Sequence, residues 1–154
     1  MGYYSDIYVI KKVRSKNAAI DFLDHCLPQR KENSNFYEVP RFEKKVELEF
    51  DNVDELMDYL EEKDKVSHCI YWRNMDDENL NRHGMIFYTS DSYMIFGISR
   101  DSYGIDNTKN EDNCLREMKN FINSEDGYIT YECPPEETDF DFIRKVSEFN
   151  QSVI

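Results

Sequence analysis

Apolar side chains recur along the chain with two different periods, and this alternation predicts a mixture of strands and helices. Residues 6–13 are rich in β-branched and aromatic side chains and predict a strand. Ser15 is a favourable helix N-cap and precedes an apolar stripe with helical spacing. That stripe consists of Ala19, Phe22, Leu23, Cys26 and Leu27. Pro28 is expected to end this helix, and the polar residues 29–42 predict a loop.

Two further strands and a helix are predicted in the middle of the chain. Residues 44–50 alternate strictly between apolar and polar side chains, which predicts a half-buried strand. The side chains expected on its buried face are Val46, Leu48 and Phe50. Asn52 begins a capping-box-like sequence and predicts the second helix. Residues 66–73 predict the third strand, and the polar residues 74–84 predict a loop.

Residues 85–100 carry the clearest pattern in the chain. Two apolar segments flank Ser90-Asp91-Ser92, which predicts a β-hairpin with a short turn. Both arms are almost continuously apolar, as expected for strands that are covered on both faces of a sheet. If such a hairpin lies near a sheet edge, it is also compatible with a homodimer.

The last third of the chain predicts a helix, a strand and a final helix. Thr108 and Glu111 have the spacing of a capping box, and Gly127 is expected to end the helix that follows them. Residues 128–133 predict a short strand. Thr138 is expected to begin the last helix.

Together these segments predict a single α+β domain over residues 1–154, with the element order β-α-β-α-β-β-β-α-β-α. We expect a mixed, mainly antiparallel sheet of about six strands, with about four helices packed mainly on one face. A doubly wound parallel sheet is the alternative. It is disfavoured because the hairpin is antiparallel and no glycine-rich turn joins a strand to a helix.

The composition is that of a folded but strongly acidic protein. The chain has 32 acidic and 19 basic residues, a formal net charge of −13, and 14% aromatic residues. Such a charge repels the phosphate backbone, so we expect no direct binding to nucleic acid. We expect neither a secretory signal nor a membrane-spanning segment, and therefore a cytoplasmic protein whose four cysteines are thiols. The scarcity of alanine and the abundance of Asn, Ile and Lys suggest an AT-rich genome and a bacterial source.

No residue pattern identifies a catalytic, metal or cofactor site. The five glycines form neither a Walker loop nor a dinucleotide-binding motif, so we expect no cofactor. The dipeptides His25-Cys26 and His68-Cys69 resemble metal-ligand pairs. However, neighbouring residues on a strand or a helix point in different directions, so we expect no metal. The sequence thus favours a non-enzymatic protein while leaving an enzyme open.

The acidic charge is concentrated towards the end of the chain, where residues 106–154 contain twelve acidic and five basic residues. Carboxylates can simply solubilise a surface, but an acidic face can also steer association with a basic protein. We therefore predict a protein-binding domain, with an immunity- or antitoxin-like inhibitor of a basic toxin or nuclease as its most concrete form. The side chains expected to contact the partner are Asp76, Asp77, Glu78, Tyr103, Glu136, Glu137, Asp139 and Asp141.

Two other functions stay open on the sequence alone. The first is a small hydrolase or transferase with a carboxylate or Cys–His site near residues 91–106. The side chains that would line its pocket are Asp91, Arg100, Asp101 and Asp106. The second is a mimic of nucleic acid, whose carboxylates would occupy the DNA-binding face of a basic protein.

Overall fold

A six-stranded antiparallel sheet and four helices make up most of the protein, and two further strands form a small second sheet. The computed structural model describes residues 3–40, 45–104 and 106–152. The elements are β1 (Tyr3–Lys11), α1 (Lys16–Cys26), β2 (Arg30–Glu32), β3 (Tyr37–Val39), β4 (Leu48–Phe50), α2 (Val53–Glu62), β5 (His68–Asn74), β6 (Asn81–Tyr88), β7 (Met94–Ser102), α3 (Lys109–Ile122), β8 (Gly127–Tyr131) and α4 (Asp139–Ser152). None of the helices in these ranges combines the length and the hydrophobicity that crossing a bilayer requires.

The main sheet has the strand order β2-β5-β6-β7-β1-β8, and each of its pairings is antiparallel. β1 lies between β7 and β8, so both of its edges are paired, and the side chains of Ser5 through Ile10 are buried. α1, α2 and α3 pack on the face that carries Ile7, Val9 and Phe96. α4 packs on the opposite face, which carries Tyr8, Ile10 and Ile95.

The structure confirms the α+β class, the mainly antiparallel sheet, and the placement of most helices on one face. It also confirms the hairpin, whose arms are β6 and β7. Three predicted helix starts are correct because the expected side chains accept backbone N–H groups of the first turn. These side chains are Ser15, Asn52 and Thr138.

The predicted loop at residues 29–42 is wrong in part, since it contains β2 and β3. Three-residue strands are too short to show a periodic pattern. β2 pairs with β5 and is the sixth strand of the main sheet. The strand predicted at 44–50 contains β4, which pairs with β3 in the small sheet. Leu48 is 42% exposed rather than buried, because a two-stranded sheet offers little surface to cover it. Residues 41–44 lie outside the described residues.

The element order also differs from the predicted order, with twelve described elements in place of ten. The predicted loop at 74–84 is shorter, because β5 reaches Asn74 and β6 already begins at Asn81. These polar residues are kept in strands by buried hydrogen bonds. Asn74 Nδ2 donates to the Asn81 carbonyl, and Arg100 Nε donates to Asn81 Oδ1. The apolar hairpin lies between β5 and β1, so it provides no sheet edge for a homodimer.

α3 begins directly after Thr108, as predicted, but its predicted capping box and its predicted end are wrong. Thr108 makes no side-chain cap to the backbone, and the Glu111 side chain is fully buried instead of capping the helix. The helix is ended by Asn123, which adopts the left-handed conformation, and not by Gly127. Gly127 instead begins β8.

Candidate functional site

One end of the main sheet gathers chain segments that are far apart in sequence. β1 begins there, β7 and β8 end there, and the loop at residues 75–80 joins β5 to β6 there. From β5 to β8 this end spans four strand spacings, or roughly 19 Å. We call it the tyrosine end, after its four exposed tyrosines Tyr3, Tyr4, Tyr103 and Tyr131.

Exposed apolar and aromatic side chains are concentrated at the tyrosine end. Eleven large apolar or aromatic side chains among the described residues are strongly exposed, and six of them lie here. Besides the tyrosines, the six include Met75 and Leu80 of the loop between β5 and β6. Tyr103 and Tyr3 are the most exposed of the six, at 61% and 56%. Tyrosine is enriched among the residues that dominate binding energy in protein interfaces.

Tyr131 is held in place from below by a buried carboxylate. Its hydroxyl donates to Oε2 of Glu111 over 3.1 Å, and the Ser5 hydroxyl donates to the same oxygen over 2.8 Å. Burial and the nearby Glu111 carboxylate raise the pKa of the Tyr131 phenol above its ordinary value of 10.0. The phenol therefore stays neutral at physiological pH and keeps its ring in one orientation, which lowers the entropy cost of binding.

Acidic groups adjoin these tyrosines. Asp76, Asp77 and Glu78 form the turn between β5 and β6, where Asp76 Oδ1 accepts the backbone N–H of Glu78. Arg82 fixes the turn further by donating from Nη1 to the Asp77 carbonyl. The carboxylates of Asp77 and Glu78 remain exposed. The tyrosine end thus combines exposed aromatic rings, of which that of Tyr131 is fixed, with a fixed acidic turn.

The predicted partner-binding residues fall on two separate surfaces. Asp76, Asp77, Glu78 and Tyr103 share the tyrosine end. The remaining four follow β8, where residues 132–138 return across the α4 face of the sheet to the opposite end. These four are Glu136, Glu137, Asp139 and Asp141. Asp139 contacts Lys12 over 2.7 Å, and Asp141 contacts Arg144 over 3.3 Å, so local ion pairs partly neutralise this second surface.

The structure does not bring together the four residues of the alternative pocket. Asp91 lies in the hairpin turn, where its Oδ2 accepts the backbone N–H of Asp139 at the start of α4. Arg100 and Asp101 lie at the other end of β7 and point to opposite faces of the sheet, as neighbours on a strand do. Arg100 faces α3, whereas Asp101 pairs with Arg82. Asp106 is exposed in the loop that precedes α3.

A buried polar row on the α4 face was not identified from the sequence. Ser99 pairs in register with His83 on one side and Asp6 on the other, and its hydroxyl donates to Asp6 Oδ1 over 2.5 Å. A nucleophilic serine would share this hydrogen with a base that can remove it. Here the carboxylate holds it instead, and its other oxygen accepts the Cys133 N–H over 3.1 Å. The row therefore fixes the start of residues 132–138. The only sequence signal for it was an acidic residue within a β-branched strand.

Asp6 should make the stability of the protein depend on pH. Burial raises the pKa of its carboxyl above the ordinary 3.8, although hydrogen bonds from Ser99 and Cys133 oppose this. A carboxyl whose pKa is higher in the folded than in the unfolded state stabilises the fold at pH values below its unfolded-state pKa. This stabilisation is lost as the pH rises through its folded-state pKa. We expect the free energy of unfolding of the wild type, minus that of Asp6→Asn, to fall as pH rises from about 3. Urea denaturation of both proteins across this range measures the difference; a flat or rising difference would contradict the assignment.

Burial keeps two of the four cysteine thiols protonated. The four cysteines, which all lie in the described ranges, form no disulfide with one another. Burial raises the pKa of the Cys26 and Cys114 thiols to about 12, so both are protonated at neutral pH. Within the described residues, no three His, Cys, Asp or Glu side chains are arranged to hold a metal ion.

Comparison with family models, with curated proteins and with solved structures found no significant match to this chain.

Proposed function

We propose that the chain is a non-enzymatic binding domain that docks a basic protein at its tyrosine end. The observation that carries the proposal is that this end holds six of the eleven large apolar or aromatic side chains that are strongly exposed in the described part of the chain, beside an acidic turn. Aromatic anchors within an acidic surround suit a basic partner, because the rings bury area while the carboxylates steer the encounter. An inhibitor of a basic toxin or nuclease in the bacterial cytoplasm is the form that fits best.

The dimensions of the tyrosine end fit a compact interface. A standard interface buries about 800 Å² on each partner. A patch about 19 Å wide along the strand ends, extended by the loop at 75–80 and by residues 103–104, is of that order. The net charge of −13 then raises the association rate with a cationic partner, and this effect weakens as salt increases.

The first experiment captures the partner and tests where it binds. The tagged protein is incubated with lysate of its source organism and washed in parallel at low and high salt. We expect one stoichiometric basic protein that is weakened by salt. With this partner purified, Tyr103→Ala should raise the Kd at least about tenfold, the effect of removing one aromatic hot spot. Phe140→Ala is the matched control, since Phe140 is an even more exposed aromatic residue at the start of α4.

A charge series tests the second half of the proposal. Neutralising Asp76, Asp77 and Glu78 together should lower the association rate and flatten its salt dependence. The control neutralises three exposed carboxylates on other elements, namely Glu49, Glu62 and Glu148. Equal losses in both triple variants, or an equal loss in Phe140→Ala and Tyr103→Ala, would contradict docking at the tyrosine end. Competition by duplex DNA for the same partner would indicate a nucleic-acid mimic.

A further inference from the structure

A cleft of about 170 Å³ opens between α1 and α3 on the helix-covered face of the sheet. Its floor is formed by Ile98 and Arg100 of β7, and its mouth lies beside His25 of α1 and Phe121 of α3. The rings of His25 and Phe121 stack with centroids 4.5 Å apart and planes 9° apart. The cleft therefore has a cationic group at one end and a flat aromatic pair at its mouth.

Arg100 has unused hydrogen-bond donors at this cleft. Its residue surface is only 8% exposed, and a guanidinium group carries five N–H donors. Nε donates to Asn81 Oδ1, and Nη1 donates to the carbonyl and to Oδ1 of Asn110. These bonds account for three donors and leave the two on Nη2. Among the described residues, the nearest carboxylate to Nη2 is Glu117 at 3.7 Å, which is beyond hydrogen-bond distance.

The remaining wall of the cleft is uncharged. Cys26 and Cys114 line it as protonated thiols, because burial raises the pKa of each to about 12. Phe22 and Met118 contribute further apolar surface. A cavity of about 150 Å³ lined by apolar side chains accommodates benzene, so this cleft has room for a group of that size. Two asparagine amides also line the cleft, so its walls are mixed in polarity. A buried cation beside partly apolar walls suits a small amphipathic anion, because its charged and apolar parts each find a counterpart there.

We propose that this cleft binds a small organic carboxylate whose head group accepts both Nη2 donors of Arg100 and whose apolar body lies between α1 and α3. A carboxylate matches the two remaining donors, and charge-assisted hydrogen bonds to a guanidinium are about twice as strong as neutral ones. Glu117 competes for the same donors in the free protein. Since its side chain is 71% exposed, a ligand displaces it at little cost.

The site is tested with benzoate as the probe and benzyl alcohol as its uncharged counterpart of similar size. Either is titrated at constant ionic strength into the ¹⁵N-labelled full chain, and amide shifts of Cys26, Arg100 and Cys114 are followed. We expect benzoate to bind with a Kd of about 1 mM or below, the range open to so small a ligand. Benzyl alcohol should bind at least about tenfold more weakly, because it cannot form the charge-assisted bonds.

A surface substitution gives the sharper result. Glu117→Gln removes the competing carboxylate, so it should tighten benzoate binding by about two- to fivefold. Glu62→Gln on α2 makes the same change of charge away from the cleft and should leave the Kd unchanged. Arg100→Gln should abolish binding. Arg100 also bridges Asn81 and Asn110, so Arg100→Gln can prevent folding. In that case the Kd of Glu117→Gln for benzoate tests the proposal. Equal binding of the two probes, or equal effects of Glu117→Gln and Glu62→Gln, would overturn the proposal.

Discussion

Replacing Arg14 with methionine is expected to lower the free energy of unfolding by about 3 kcal/mol or more. Arg14 belongs to the segment that joins β1 to α1 along the chain. Its side chain is buried, and its guanidinium donates to four backbone carbonyls. These are the carbonyls of Leu60, Lys63, Val66 and Thr89. Methionine fills a similar volume but donates no hydrogen bond, so all four carbonyls lose this donor, although those of Lys63 and Thr89 keep the N–H groups of Val66 and Ser92.

The four carbonyls explain why this one side chain should matter so much. Leu60 and Lys63 end α2, Val66 leads into β5, and Thr89 begins the hairpin turn. Arg14 thus donates to carbonyls at the end of α2, one of which also accepts the Val66 N–H, and ties that helix to the hairpin. Its guanidinium also lies 5.1 Å from the centre of the Tyr88 ring, within the range of a cation–π contact.

Urea denaturation of the wild type and two variants measures this effect. Arg144→Met is the control, because Arg144 is largely exposed and makes only a pair with Asp141 three residues earlier. That pair should contribute less than about 1 kcal/mol. Arg14→Lys should recover only part of the loss, because a lysine head group has three donors and no fork. Similar losses in Arg14→Met and Arg144→Met would show that the carbonyl contacts do not stabilise the fold.

Arg14 also shows why the sequence predicts helices and strands better than it predicts the long-range contacts that hold them together. Periodicity is local, so the hairpin and the stripe of α1 were identified correctly. Arg14 follows a strand and precedes an N-cap, which is where a solvated basic residue is ordinary. Its acceptors lie between 46 and 75 residues further along the chain, and no spacing in the sequence indicates them.

The candidate surface could be predicted only in part for a related reason. Tyr103 and the acidic residues 76–78 were identified because they lie in polar loops. Their proximity follows from the hairpin, because the acidic residues precede β6 and Tyr103 follows β7. Tyr131 joins them only because β1 is inserted between β7 and β8. Sequence periodicity contains no information on that strand order, so Tyr131 could not be assigned to the surface.

Replacing Gly127 with alanine is expected to lower the free energy of unfolding by about 1–3 kcal/mol. A Cβ atom at this position would lie 2.7 Å from the carbonyl oxygen of Tyr8 and 2.8 Å from side-chain carbons of Val9 and Leu115. The oxygen belongs to the backbone of β1, which is paired on both edges, so it cannot move aside as a flexible side chain can. Alanine also restricts the unfolded chain, which favours folding by about 0.4–1 kcal/mol, but this gain is smaller than the cost of the overlap.

Gly84→Ala is the matched control for this prediction. Gly84 also lies in a buried strand, but its added Cβ would approach only side-chain carbons of Leu23 and Leu27, at 3.2–3.3 Å. Those leucines can shift by a few tenths of an ångström, so we expect a change within about 1 kcal/mol. Urea denaturation of both variants compares them directly. If Gly127→Ala were as stable as Gly84→Ala, then β8 would not need the close approach of α3 and β1.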